Sequence, residues 1–214
     1  MSEERRYITD IGFTPTVKAE QERLGSRTFY ERYEQTMGWR GEVNEDLIQR
    51  LANTDSFYFS TANAEGQPYI QHRGGPKGFL RPLSKHELGF ADYAGNKQYI
   101  SIGNLKDNPK CFLFLMDYPT RRRVKIWGRA RVEERDNELI RSLKPEGYNA
   151  AVERAIIITV EAWDTNCHQH ILPRYSPDLL EPAFARLEAR IKQLEAQVRE
   201  LGGDTGPFEH VGLT

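Results

Sequence analysis

The chain of 214 residues carries 30 Lys and Arg against 31 Asp and Glu, a formal net charge of -1. That balance excludes the bulk positive charge with which proteins grip nucleic acid or an anionic membrane. With 38% hydrophobic and 29% charged residues, and no repeats or low-complexity segments, the composition is that of a globular chain able to bury a core.

Residues 1–15 read as an irregular arm, and its opening, MSEERRYITD, lacks the apolar stretch of a signal peptide. No apolar run approaches the roughly 20 residues of a membrane helix. The two cysteines, Cys111 and Cys167, make no CxxC pair, and Cys111, inside CFLFLM, is expected to pack as a small buried hydrophobe. A reduced, cytoplasmic setting is expected.

From Val17 to Gln35, Leu24, Phe29, Tyr30 and Tyr33 recur among charged residues as in an amphipathic helix that Gly25 breaks. VNEDLIQRLAN predicts a second helix. Asn44 is its N-cap, acidic residues fill its first turn, and Leu47, Ile48 and Leu51 form its apolar face. The period then shortens. SFYFSTA, GQPYIQHR, GFLRPL and HELGFAD are short segments rich in β-branched or aromatic residues and separated by turn signals. CFLFLMDY, a near-continuous apolar run, predicts a strand buried on both faces. RRVKIWGRARVEE alternates and predicts a long strand with one wet face and a bulge at Gly128. AIIITVEAW completes a set that argues for an antiparallel barrel or sandwich. Two short helices interrupt it: NKQYISIGNLKDNP, with Asn96 as N-cap, and DNELIRSL.

In the tail, Leu180, Phe184, Leu187, Ile191, Leu194, Val198 and Leu201 follow at alternating spacings of four and three. This narrow a/d seam suits another helix better than the broad face of a helix laid on its own domain.

Two elements favour an anion. HRGGPKGFLRP, residues 72–82, combines glycines and prolines with basic side chains, as expected where backbone N–H groups and cations hold a phosphate together. One hairpin later, the turn Tyr93-Ala94-Gly95 delivers Asn96 and Lys97 to the first turn of a predicted helix, where free N–H groups point outward. Asn104 is placed to fix that helix. Of Arg121, Arg122 and Arg123, at least two are expected on a solvated hairpin tip, since strand neighbours face opposite sides. Cys167, His168 and His170 have a fragment of metal-ligand spacing but no visible fourth ligand, so His170 is read as a hydrogen-bonding group instead.

The order SFYFSTANAEGQPYIQHRGG, LGFADYAGNK, NLKDNPKCFLFLM, RRRVKIWGRARV and VEAWDTNCHQHI resembles the pyridoxamine 5'-phosphate oxidase-like, FMN-binding split-barrel family, in the branch with an HRGGPxGF loop. The resemblance runs from Ser56 to Leu172. It implies a mainly β (α+β) fold, a split β-barrel of six to seven antiparallel strands with N-terminal helices and a C-terminal heptad helix. The implied divisions are an arm and helices over 1–54, the barrel over 55–173, and a helix and tail over 174–214. It also implies a homodimer with FMN at the interface, acting on a small-molecule substrate, with no nucleic-acid or membrane partner.

By the same resemblance, Arg73 and either Lys77 or Arg81 correspond to the cations on the FMN phosphate. Asn96 and Lys97 match the second phosphate-binding turn. Phe90, Ala91 and Trp163 match flavin contacts, and Arg123 stands where a side chain meets the isoalloxazine and would favour its anionic reduced form. His168 and His170 fall where the family binds substrate, but the arginine expected beside them is missing, which points away from a pyridoxal phosphate vitamer. The implied activity is flavin-dependent oxidoreduction. The alternatives are a non-enzymatic flavin carrier or sensor, and a barrel binding haem or the deazaflavin F420.

Overall fold

Gly25, at φ 77°, turns the chain between α1 (Pro15–Arg23) and α2 (Arg27–Thr36), the break its position predicts. The computed structural model describes residues 7–166 and 169–206. The two helices differ from expectation in what they bury. Leu24 and Phe29 are exposed, whereas Glu34 is buried among Thr9, Lys18 and Arg27. A carboxylate can be buried there because cations and a hydroxyl replace its water. Phe13, Tyr30 and Trp39 pack together, and Trp39 stacks on Trp127 at 4.1 Å. α3 (Glu45–Ala52) starts as expected: the Asn44 side chain accepts from the Leu47 N–H at 3.1 Å, and Leu47 and Leu51 enter the core.

Seven strands follow: β1 (Ser56–Ala62), β2 (Pro68–Gly74), β3 (Arg81–Pro82), β4 (Glu87–Tyr93), β5 (Lys110–Asp117), β6 (Arg122–Glu133) and β7 (Val152–Asn166). They form one antiparallel sheet in the order β2-β1-β5-β6-β7-β4-β3. GFLRPL shrinks to the two residues of β3. Pro82 has no N–H for a ladder, and β3 accordingly lies at the sheet edge. CFLFLMDY becomes β5, but alternates instead of being buried on both faces. Cys111, Leu113 and Leu115 enter the core, while Phe112 and Phe114 stay half-buried on the outer face beside Trp127.

The expected irregularity at Gly128 is present. Trp127 pairs with Ala162 and Gly128 with Val160, so Glu161 is an extra residue on β7. A Cβ on Gly128 would lie 2.4 Å from the Thr159 carbonyl oxygen, which requires glycine there. The bulge bends β7, whose residues 155–159 pair with β6 on one side and β4 on the other.

Phe57, Phe59, Phe79 and Phe90 meet edge-to-face and stacked inside the sheet with Leu88, Leu113, Ile126 and Ile156. Each such ring contributes about 1.5–3 kcal/mol of burial. β4 is covered on both sides: Leu88 and Phe90 face this core, while Ala91 faces a second cluster beneath α5 (Asn137–Leu143), with Leu143, Ala155 and Ile157. α4 spans Ile100–Asp107. The first compact unit is Met1–Ile171 and the second Leu172–Thr214. The second unit contains α6 (Pro177–Glu200), which carries the heptad seam and has no buried residue. Among the described residues no helix is long and apolar enough to cross a membrane.

Candidate functional site

Strand alternation puts Tyr69, Gln71 and Arg73 on one face of β2, and Asp92 and Tyr93 end β4 opposite them. These residues line one cleft together with Gly95, Asn96, Lys97 and Ser101. The cleft is half-open, with room of about 40 Å³, enough for a few waters. β2 and β4 are not sheet neighbours, yet an Arg73 Nη1 to Asp92 Oδ1 ion pair of 2.5 Å joins them here. Arg154 on β7 stands opposite Asp92 in register and brings its Nε to 3.6 Å of Oδ2. Arg154 also pairs with Glu153 and Glu134 and lies over the Tyr99 ring. Burial pushes the Asp92 carboxyl up, against the pull of Arg73 and Arg154.

Three buried donors at this place have no hydrogen-bond partner: Nε of Arg73, Nε of Arg154 and the Tyr93 hydroxyl. Buried donors are rarely left so, because each costs about 1–3 kcal/mol. The Arg73 guanidinium and Lys97 line the cleft together, a donor set that suits a ligand with several anionic oxygens, while Arg154 is held against Asp92.

The turn after β4 departs from expectation. Asn96 does not cap the helix; its Oδ1 accepts from the Gln98 N–H at 3.2 Å. α4 begins at Ile100, so Lys97 sits before it, in a tight turn. Lys97 and Tyr99 both adopt left-handed backbone, at φ 59° and 55°. That conformation costs roughly 1–2 kcal/mol for a residue with a side chain and recurs at ligand clamps. Asn104 does hold α4, donating from Nδ2 to Thr61 Oγ1 at 3.0 Å, and Ser101 donates to Gln71 at 3.3 Å.

The loop HRGGPKGF also differs from expectation. The Gly75 N–H donates to the Asp55 carbonyl and the Gly78 N–H to that of Thr54, both at 2.9 Å, so neither is offered to an anion. The glycines serve packing instead. Gly78 has φ 78°, and a Cβ on Gly75 would come within 2.8 Å of the Phe79 side chain. Phe79 is thereby folded into the core and stacks on Phe57 at 5.5 Å.

The structure thus brings Arg73, Asn96 and Lys97 together and puts the other expected residues elsewhere. Lys77 is exposed on the loop. Arg81 on β3 donates to the Ser142 carbonyl at 2.7 Å. Phe90 lies in the core, its ring centroid 6.0 Å from Arg73 Cζ, and Ala91 lies under α5. Arg123 is half-buried on β6, opposite Met116 of β5 and Asn166 of β7. Trp163 is fully buried; its Nε1 donates to the Glu42 carbonyl at 2.7 Å and Arg40 lies over its ring at 4.6 Å. His170 is exposed, and His168, with Cys167, lies outside the described residues.

Asp92 and Arg154 are not among the site residues expected from the sequence. Asp92 has a local signal, as the polar end of an apolar strand. Arg154 had no local signal, because only the pairing of β4 with β7 places it there.

An antiparallel sheet bent about β7, with helices at its margins, is the split barrel expected from the sequence. The family model described as pyridoxamine 5'-phosphate oxidase matches residues 43–167, more than half of the chain, and the chain belongs to that family. No curated protein matches it. Among solved structures it is similar to HupZ of Group A Streptococcus, at 18% identity, covering 62% of this chain and 100% of that one with a TM-score of 0.48. An FMN-binding protein of Syntrophomonas wolfei is 12% identical over 73% of this chain and 98% of its own, TM-score 0.44. The haem storage protein HutZ of Vibrio cholerae is 13% identical over 55% and 89%, TM-score 0.35. None of these likenesses bears on which cofactor this chain takes.

Proposed function

We propose that this protein is an FMN-binding flavoprotein, and that the cleft between β2, the end of β4 and the turn at Lys97 holds the flavin phosphate. The observation that carries this reading is the buried, unpartnered Nε donor of Arg73 in a cleft that Lys97 also lines. A phosphate offers the oxygen that donor lacks. The cleft is too small for an isoalloxazine, so the ring lies outside it, against a second copy of the chain in a homodimer. Bound FMN supplies hydride and single-electron transfer, and the reaction is redox chemistry on a small organic substrate.

The residues of the chain hold and orient. Lys97 gives the phosphate a full charge. Arg73 gives directed N–H bonds while Asp92, itself paired with Arg154, keeps the Arg73 guanidinium in place. Arg123 is the chain's donor toward the ring. Trp163 supports the barrel wall from within.

The test is titration of the apoprotein with FMN and with riboflavin, followed by flavin fluorescence. FMN is expected to bind more tightly, and Lys97→Ala to weaken FMN about 10- to 100-fold, as for loss of a charged hydrogen bond, with riboflavin unaffected. Equal affinity of wild type and Lys97→Ala for FMN refutes the phosphate assignment. A Soret band, or uptake of F420 in place of FMN, refutes the cofactor.

A further inference from the structure

The seam on α6 runs Leu180, Phe184, Leu187, Ile191, Leu194, Val198, Leu201. Its spacing assigns Leu180, Leu187, Leu194 and Leu201 to d positions, and Phe184, Ile191 and Val198 to a positions. Two of the three a positions, Ile191 and Val198, are β-branched, which with leucine at d selects two parallel strands. The side chains are open to a partner: Phe184, Leu187, Leu194 and Val198 are all exposed, and no α6 residue is buried. The opposite face carries Arg186, Ala189, Lys192, Gln193, Ala196 and Arg199, which suit solvent.

The flanking charges choose the direction. Glu181, Glu188 and Glu195 occupy the e positions, and Arg190 the one charged g position. An antiparallel pair sets e against e, which would line up acidic residues. A parallel pair sets each g against the partner's e five residues on, which places Arg190 opposite Glu195. Within one helix Arg190 donates to Gln193 at an exposed position, and half-buried Glu195 pairs with exposed Arg199. Such contacts are weak and exchange readily.

We infer that α6 pairs with α6 of a second copy as a parallel, in-register two-stranded coiled coil. The helix is about 36 Å long at 1.5 Å per residue, enough for three heptads. This pairing does not rest on the flavin reading. It tethers two barrels by their C-terminal ends and raises the effective concentration of each for the other.

The test is disulfide cross-linking of the full chain in a Cys111→Ala, Cys167→Ser background. Leu194→Cys places identical thiols face to face only in a parallel, in-register pair. Ala189→Cys places them on the outer face. Efficient covalent dimer from Leu194→Cys, and from Val198→Cys as a second seam position, with several-fold less from Ala189→Cys, is the expected result. Arg190→Glu should slow the Leu194→Cys cross-link several-fold, and adding Glu195→Arg should restore it. No cross-link at either seam position, or equal cross-linking at the seam and the outer face, overturns the inference, and an antiparallel pair or a different protein on the seam gives the first of these.

Discussion

Trp163→Phe separates a packing role from a ligand role at one residue. The indole is fully buried, and its N–H donates to the Glu42 carbonyl at 2.7 Å. Phenylalanine keeps an aromatic ring but leaves that carbonyl without a donor, at about 1–3 kcal/mol. The missing fused ring leaves a cavity worth about 1 kcal/mol, and the weaker cation–π face toward Arg40 takes roughly 0.5 kcal/mol more. The expected destabilisation is about 3 kcal/mol. With a urea slope of about 2 kcal/mol per molar, the unfolding midpoint followed by circular dichroism falls by roughly 1–2 M. At low temperature the folded variant should bind FMN as wild type does. An unchanged midpoint together with lost flavin binding would refute the reasoning and put the indole at the ligand.

Two glycines should respond with opposite signs. Gly128→Ala drives a Cβ into the Thr159 carbonyl and should cost about 1–3 kcal/mol in urea unfolding, whereas Gly103→Ala, with nothing within 4 Å on exposed α4, should gain up to about 1 kcal/mol; equal midpoints for both would refute the bulge argument. Burial pushes the Cys111 thiol up to about 12 from 9.0. The folded thiol therefore keeps its proton where the unfolded one has lost it, so the stability it contributes is complete below pH 9 and is lost as pH rises from 9 toward about 12. Urea midpoints at pH 7 and pH 10 should fall less for Cys111→Ala than for wild type, and in a Cys167→Ala background the native thiol should not react with a disulfide reagent at pH 8.

The barrel was legible because its strands alternate and its caps are local. Asn44 and the Leu47–Leu51 face are read from adjacent residues, and the Gly128 bulge from a glycine inside an alternating run. GFLRPL read too long, since its apolar residues Phe79 and Leu80 serve the core from a loop instead of a ladder. The candidate cleft was half legible. Arg73 and Lys97 could be named from basic side chains beside turns, but their distinguishing neighbours, Asp92 and Arg154, meet only through the pairing of strands far apart in sequence. The same limit explains the glycine loop, where a tucked phenylalanine and a phosphate cradle demand the same glycines and only Gly75 and Gly78 bonding to Asp55 and Thr54 tells them apart.

The position of β7 in the sheet has a kinetic consequence. β4 leaves the ribosome early, yet its only ladder besides the two-residue β3 is with β7, more than half a barrel later in the chain. The segment at Arg40 waits longer still, since both its backbone bonds close on Trp163. Until β7 is made, β1 with β2 and β5 with β6 can pair as local hairpins, while β4 has side-chain contacts to β1 but no ladder beyond β3 among the described residues. Closing such distant contacts carries a loop entropy that slows folding. Closure of the sheet across β6 and β4 thus waits for β7, the strand that joins them.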